Sequence, residues 1–140
     1  MKLLVAIDGS KDSVKAAKYA VKLLGVMKGD RSITLISVHD DTGLLHATRF
    51  VGKDVVQDYL REIADKDLAE ARKVLERSDV KHDMIIRTGR VAQEIVDTAS
   101  KDKFDMIVMG SKGRSAIKDL LIGSIAHRVA GMSKVPVLLV

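Results

Sequence analysis

Short apolar runs of strand length alternate along this chain with stretches in which apolar residues recur every three or four positions. Leu3 to Ile7 precedes Val14, Ala17, Val21 and Leu24; Ile33 to Val38 precedes Val56, Leu60, Ile63, Ala71 and Leu75. The second half repeats the alternation. Met84 to Ile86 precedes Val91, Ile95, Val96 and Ala99, Met106 to Met109 precedes Ile117, Leu120, Leu121, Ile125 and Val129, and Val137 to Val140 is the last apolar run. Continuous apolar runs bounded by turn residues suit strands buried on both faces, and the longer period suits amphipathic helices. Five strands and four helical regions in alternation imply right-handed crossovers and a parallel sheet covered on both sides. The expectation is a doubly wound α/β sandwich forming a single domain over residues 1–140.

Boundary signals agree with this reading. Ser10 stands ahead of the first helix, Gly29-Asp30 closes its connection, and Gly89 precedes the helix that begins near Val91. The segment from His39 to Asp54 has two glycines, mixed polarity and weak periodicity, which predicts an irregular excursion of the length that is commonly functional. The one proline, Pro136, sits at the start of the last strand, where its missing N–H is tolerated.

Composition narrows the class. Of 140 residues, 46% are apolar and 31% charged, and the longest apolar stretch falls well short of the roughly 20 residues a membrane span needs. The apolar stretch before Asp8 is too short for a signal peptide, and cysteine is absent, so a cytoplasmic protein without redox chemistry is expected. A net charge of +5 and a pI near 9.5 raise the question of polyanionic partners. The charges are interleaved, as in Arg61-Glu62, Lys66-Asp67 and Arg72-Lys73 beside Glu70, which is the pattern of a solvated helix face. With Tyr19, Phe50, Tyr59 and Phe104 as the whole aromatic complement, stacking platforms are scarce, and neither nucleic acid nor membrane is expected as a partner.

The densest chemistry lies between Met109 and Ser124, M-G-S-K-G-R-S-A-I-K-D-L-L-I-G-S. Two residues separate Gly110 from Gly113, nine separate Gly113 from Gly123, and a hydroxyl follows directly. The first two glycines follow a buried strand and permit left-handed backbone angles and close approach by a ligand. Gly123-Ser124 opens a helical run, Ile125 to Gly131, whose unpaired amides and positive dipole end suit an anion. Neither G-x-x-x-x-G-K-[S/T] nor G-x-G-x-x-G occurs. A second cluster, Asp8-Gly9-Ser10, ends the first strand; in isolation it reads as a turn and helix cap, but at the carboxyl end of a parallel strand it also lies where ligands bind. The four histidines show no metal-ligand spacing, and the protein alone offers no metal site.

The glycine segment closely resembles the ATP-binding signature of the universal stress protein family, G-x-x-G, nine residues, then G-[S/T]. The opening K-L-L-V-A-I-D-G-S (Lys2 to Ser10) and the closing V-P-V-L-L-V (Val135 to Val140) match in family order and spacing. The resemblance implies strand order 3-2-1-4-5 and a site between the first and fourth strands. It places Asp8 by the ribose or a phosphate-bound metal, and Val38 at the adenine through its backbone amide and carbonyl. Gly110 approaches the ribose, Gly113 the phosphates, and Gly123, Ser124 and Ile125 supply amides and a hydroxyl to phosphate oxygens, with Met109 also among the nucleotide-binding residues. Lys112 and Arg114 lie inside the loop as candidate phosphate cations. The implied cofactor is ATP, with Mg2+ held through its phosphates, and the implied role is a regulatory stress-response protein that pairs into a homodimer through the strand Val137 to Val140 and meets a further protein partner.

Other readings compete with this one: a slow ATPase or phosphotransferase, an AMP or cyclic-nucleotide sensor, and a nucleic-acid binder suggested only by the charge. Gly89-Arg90-Val91 departs from the family, many of whose members carry proline after that glycine, and this leaves open only where the following helix begins.

Overall fold

A computed structural model describes residues 1–114, 119 and 121–140. Its centre is β1 (Lys2–Ala6), in which every residue after Lys2 is buried. Because side chains alternate across a strand, Leu3 and Val5 turn to one face of the sheet and Leu4 and Ala6 to the other. β1 pairs in parallel with β2 (Ser32–His39) on one side and with β4 (Met106–Met109) on the other, Leu3 standing opposite both Ile33 and Met106. β3 (Lys81–Thr88) lies outside β2, and β5 (Val137–Leu139) outside β4. The sheet is parallel throughout in the order β3-β2-β1-β4-β5, as the resemblance implies.

Each face carries its own core. On one, α1 (Lys11–Gly25) and α3 (Lys53–Glu76) cover Leu3, Val5, Ile33, Leu35 and Val108 with Ala16, Ala17, Ala20, Leu24, Leu68, Ala71 and Leu75. On the other, α4 (Val91–Lys101) and α5 (Ser124–Met132) cover Leu4, Ala6, Ile36, Ile107 and Met109 with Ile95, Val96, Ala99, Ala126 and Val129. Three buried alanines on α1 let that helix lie close to the sheet. Its start is capped by the Ser10 hydroxyl, which accepts from the Ser13 amide at 3.2 Å. Its end is closed by Arg31, whose guanidinium donates to the Leu24 and Met27 carbonyls at 2.8 and 3.1 Å and pairs with Asp79. Among the described residues no helix is long and apolar enough to cross a membrane.

Three expectations change. The segment from His39 to Asp54 is not irregular: it holds α2 (Leu44–Val51), which ends at Gly52 (φ +86°), where α3 begins. Its Phe50 and Val51 face solvent, and no side chain caps its start. β3 extends well beyond Met84 to Ile86, because its polar flanks pair with β2 along the full register from Lys81 to Thr88. Of the helical period expected from Ile117 onward, Ile125 and Val129 lie in α5, which starts at Ser124; Ile117 and Leu120 lie outside the described residues, and Leu121 is exposed ahead of α5.

The two-sided core predicts a sharp contrast. Leu35→Ala, at a position with no exposed surface, should cost about 2–5 kcal/mol. Val55→Ala, on the exposed side of α3, should stay within about 0.5 kcal/mol. Urea unfolding followed by far-ultraviolet circular dichroism measures both.

Candidate functional site

The chain leaves β1 for α1 on one face of the sheet, and leaves β4 for α5 on the other. Their carboxyl ends therefore part, and a crevice opens between them, as it does at the switch point of doubly wound sheets. A cavity of about 360 Å³ lies there. Asp8, Val38, Met109, Gly110, Gly113, Arg114, Gly123, Ser124 and Ile125 all line it, so the nine residues singled out in the sequence meet at one place, and Lys112 joins them. One wall is apolar, built from Ala6, Ile36, Val38, Val91, Ile95 and Met109; the other carries Asp8, Ser10, Lys112, Arg114 and Ser124.

Hydrogen bonds hold the polar wall in place. Asp8 Oδ1 accepts from the Ser10 amide at 2.9 Å, and Asp8 Oδ2 accepts from the Arg114 amide at 3.3 Å. The turn reading of Asp8-Gly9-Ser10 is thus correct as far as it goes, but the same carboxylate also ties the end of β1 to the glycine loop 106 residues further on. Each oxygen keeps a further lone pair. The loop itself is strung between β5 and α5: the Ser111 amide donates to the Val140 carbonyl at 2.9 Å, and the Gly123 amide donates to the Ser111 carbonyl at 2.7 Å. In α5 the first intrahelical bond runs from the His127 amide to the Gly123 carbonyl, so the amides of Ser124, Ile125 and Ala126 have no partner within the helix.

The glycines serve packing rather than unusual backbone angles. Neither Gly110 nor Gly113 has a positive φ. A Cβ on Gly110 would lie 2.8 Å from the Asp12 carbonyl carbon, so this glycine is needed for β4 to pass the first turn of α1. A Cβ on Gly113 would meet Asp8 Oδ2 at 2.9 Å. Gly123 has an ordinary φ of −68°, and its Cβ would only touch the loop at 3.4 Å. Left-handed geometry falls instead at Gly9 (φ +79°), where a Cβ would lie 2.5 Å from the Arg114 guanidinium and 2.6 Å from Asp67 Oδ1.

Asp67 is the residue that the sequence reading missed. Grouped there with a solvated helix face, it is buried on α3, with 4% of its side chain exposed, and it forms an ion pair and hydrogen bond with Arg114. Its position carried the signal: Val56, Leu60, Ala64, Asp67, Ala71 and Leu75 form one buried stripe at helical spacing, and a carboxylate there requires a partner. His39, also on the cavity wall, accepts or donates a hydrogen bond with the Ser37 hydroxyl at 3.0 Å. Burial holds its pKa below the ordinary histidine value, with Asp67 pulling it up and Arg114 pushing it down. Among the described residues no three metal-ligating side chains converge.

Sheet order, crevice and glycine loop together define a doubly wound α/β protein with a cavity at the β1/β4 switch point. The sequence matches the universal stress protein family over residues 1–140, and the chain belongs to that family. It is similar to universal stress protein YxiE of Bacillus subtilis, with 32% identity over 99% of this chain and 97% of that one. The solved structure of MJ0577, a universal stress protein of Methanocaldococcus jannaschii, superposes with a TM-score of 0.86 at 29% identity, covering 99% of this chain and 94% of that one. Two more distant structures share the fold: a universal stress protein in complex with cAMP (TM-score 0.63, 23% identity) and one from Archaeoglobus fulgidus in complex with dAMP (TM-score 0.68, 19% identity).

The packing roles of the glycines can be separated by stability alone. Gly110→Ala should destabilise by roughly 1–3 kcal/mol, because the backbone of α1 cannot give way cheaply. Gly123→Ala should stay within about 1 kcal/mol. Chemical denaturation of the two variants beside the wild type checks the order.

Proposed function

We propose that this protein is a cytoplasmic regulatory homodimer that binds an adenine nucleotide, ATP with Mg2+, in the β1/β4 cavity, and that occupancy alters its contacts with a protein partner in a stress response. The observation that carries this reading is the meeting of the Asp8 turn, Val38, the glycine loop and the start of α5 around one cavity. Its volume falls in the range of small-molecule sites, roughly 300–1,000 Å³. The apolar wall suits a purine, and the helix amides with the Ser124 hydroxyl suit phosphate oxygens. Val38 would meet the base through its backbone, Met109 and Gly110 the ribose, and Gly113, Gly123, Ser124 and Ile125 the phosphates. Asp8 would stand beside a magnesium ion carried by the phosphates. That proteins of this fold have been solved with cAMP and dAMP supports an adenine nucleotide as the ligand class.

Binding is favoured over turnover. Of the two described carboxylates on the cavity wall, Asp8 accepts from two backbone amides and Asp67 is paired with Arg114. Neither is placed as a free group to orient a nucleophile, which phosphoryl transfer requires. The dimer reading rests on β5, an edge strand that pairs only with β4 and whose residues are half-buried in the single chain. Antiparallel pairing of Val137 to Val140 with the same strand of a second copy would satisfy the open edge in a closed two-fold contact.

Isothermal titration calorimetry should show one ATP per chain in the presence of magnesium. Gly123→Val should abolish the heat while leaving the fold intact, and Ser124→Ala should weaken binding by about 1.5–3 kcal/mol. Wild-type protein that gives neither heat nor thermal stabilisation with ATP, AMP or cAMP would rule the reading out. For assembly, light scattering should report about twice the monomer mass at micromolar concentration, with Leu138→Lys or Val140→Lys lowering it. A monomeric wild type would refute the edge-strand contact.

A further inference from the structure

Among the described residues on the cavity wall, formal charges cancel: Asp8 and Asp67 stand against Lys112 and Arg114. Without Asp67 the wall would carry a net positive charge, which favours phosphates, so Asp67 is what brings it to balance. That carboxylate cannot leave, because it sits on the buried stripe of α3 with 4% of its side chain exposed. Arg114 can, because more than half of its side chain is exposed and its guanidinium is carried on a long flexible stem. The two groups meet over Gly9, whose missing Cβ leaves the space that they occupy. An arginine presents five donors and suits phosphate as well as carboxylate. The one in this loop is already engaged by an internal anion.

We propose that Asp67 is a positioning residue that sets how strongly the site favours additional phosphates, by competing with the ligand for Arg114. The inference rests on the adenine-nucleotide reading of the cavity and adds a selectivity device to it. With Asp67 in place, the ligand's phosphates are met chiefly by the amides of the α5 start and by Lys112, and Arg114 is withheld from them. Swinging Arg114 onto a terminal phosphate would leave the Asp67 carboxylate buried without its counter-ion, which is costly. A triphosphate, which carries more negative charge than a monophosphate, loses more by that withholding. Electrostatic competition of this kind acts on the ratio of affinities, whereas a purely structural role would weaken both ligands alike.

The test is a cycle of calorimetric titrations with ATP and AMP, each with and without magnesium, on the wild type, Asp67→Asn, Arg114→Gln and the double variant. Asp67→Asn keeps the shape and removes the charge; it should raise the affinity for ATP relative to AMP roughly tenfold, the effect being larger without magnesium. In the Arg114→Gln background the same substitution should raise the ratio by much less, because there is no longer a cation to release and only the direct repulsion by the carboxylate is lost. Thermal melts of the unliganded variants verify folding, and the double variant should recover stability lost in Arg114→Gln by removing the unpaired carboxylate. An unchanged ratio in Asp67→Asn, or an equal rise with and without Arg114, would overturn the proposal while leaving nucleotide binding by the wild type intact. A wild type that binds neither ligand would instead overturn the reading on which it rests.

Discussion

The molecule depends on a strand with no polar face. From Leu3 to Ala6, β1 is buried on both sides, so helices must cover it above and below: the crossovers from β1 to β2 and from β2 to β3 pass on one face, and those from β3 to β4 and from β4 to β5 on the other. Once α1 packs against Leu3 and Val5 while α5 packs against Ile107 and Met109, the chain has to turn away in opposite directions at the ends of β1 and β4. The crevice follows from the burial pattern. Its apolar wall is the upper end of one core, which is why Ala6, Ile36 and Met109 serve both the fold and the cavity.

Within the crevice, close packing sets the residues as firmly as any ligand could. Gly110 is where β4 passes the backbone of α1, and Gly9 is where an ion pair crosses the first turn. Both would resist substitution with the cavity empty. Gly123 differs, because its backbone angles suit any residue and its surroundings would admit a small side chain. Of the glycines in the loop, it is therefore the one whose choice packing explains least, and the one at the helix start.

Most of this was legible in the chain. The five apolar runs, the helical period of Val14 to Leu24 and the spacing of Gly110, Gly113 and Gly123 located the sheet, its covering helices and the crevice. What escaped had local causes. α2 is short, carries solvent-facing Phe50 and Val51 and has no side-chain cap to mark its start. β3 was shortened because an edge strand keeps polar residues that only its pairing with β2 identifies as strand. Asp67 was lost among the charges of α3, since one acid within Asp65-Lys66-Asp67 reads as solvated until the buried stripe is counted residue by residue. The tie from Asp8 to Arg114 joins residues too far apart in the chain for any local pattern to show.

The edge of the sheet and the mouth of the crevice are joined by a short run of backbone bonds. Val140 donates to Met109 at 3.0 Å and accepts from Ser111 at 2.9 Å, and Ser111 in turn accepts from Gly123 at 2.7 Å. Two hydrogen bonds therefore separate the residue after β5 from the first residue of the α5 cap. A displacement of Val140 would strip the Ser111 amide of its acceptor and loosen the carbonyl that fixes Gly123. At Arg114 the same segment is also tied to the Asp8 carboxylate and to Asp67. The sheet edge and the helix start are thus joined by few and directional contacts, each satisfying a backbone group that would otherwise need another partner.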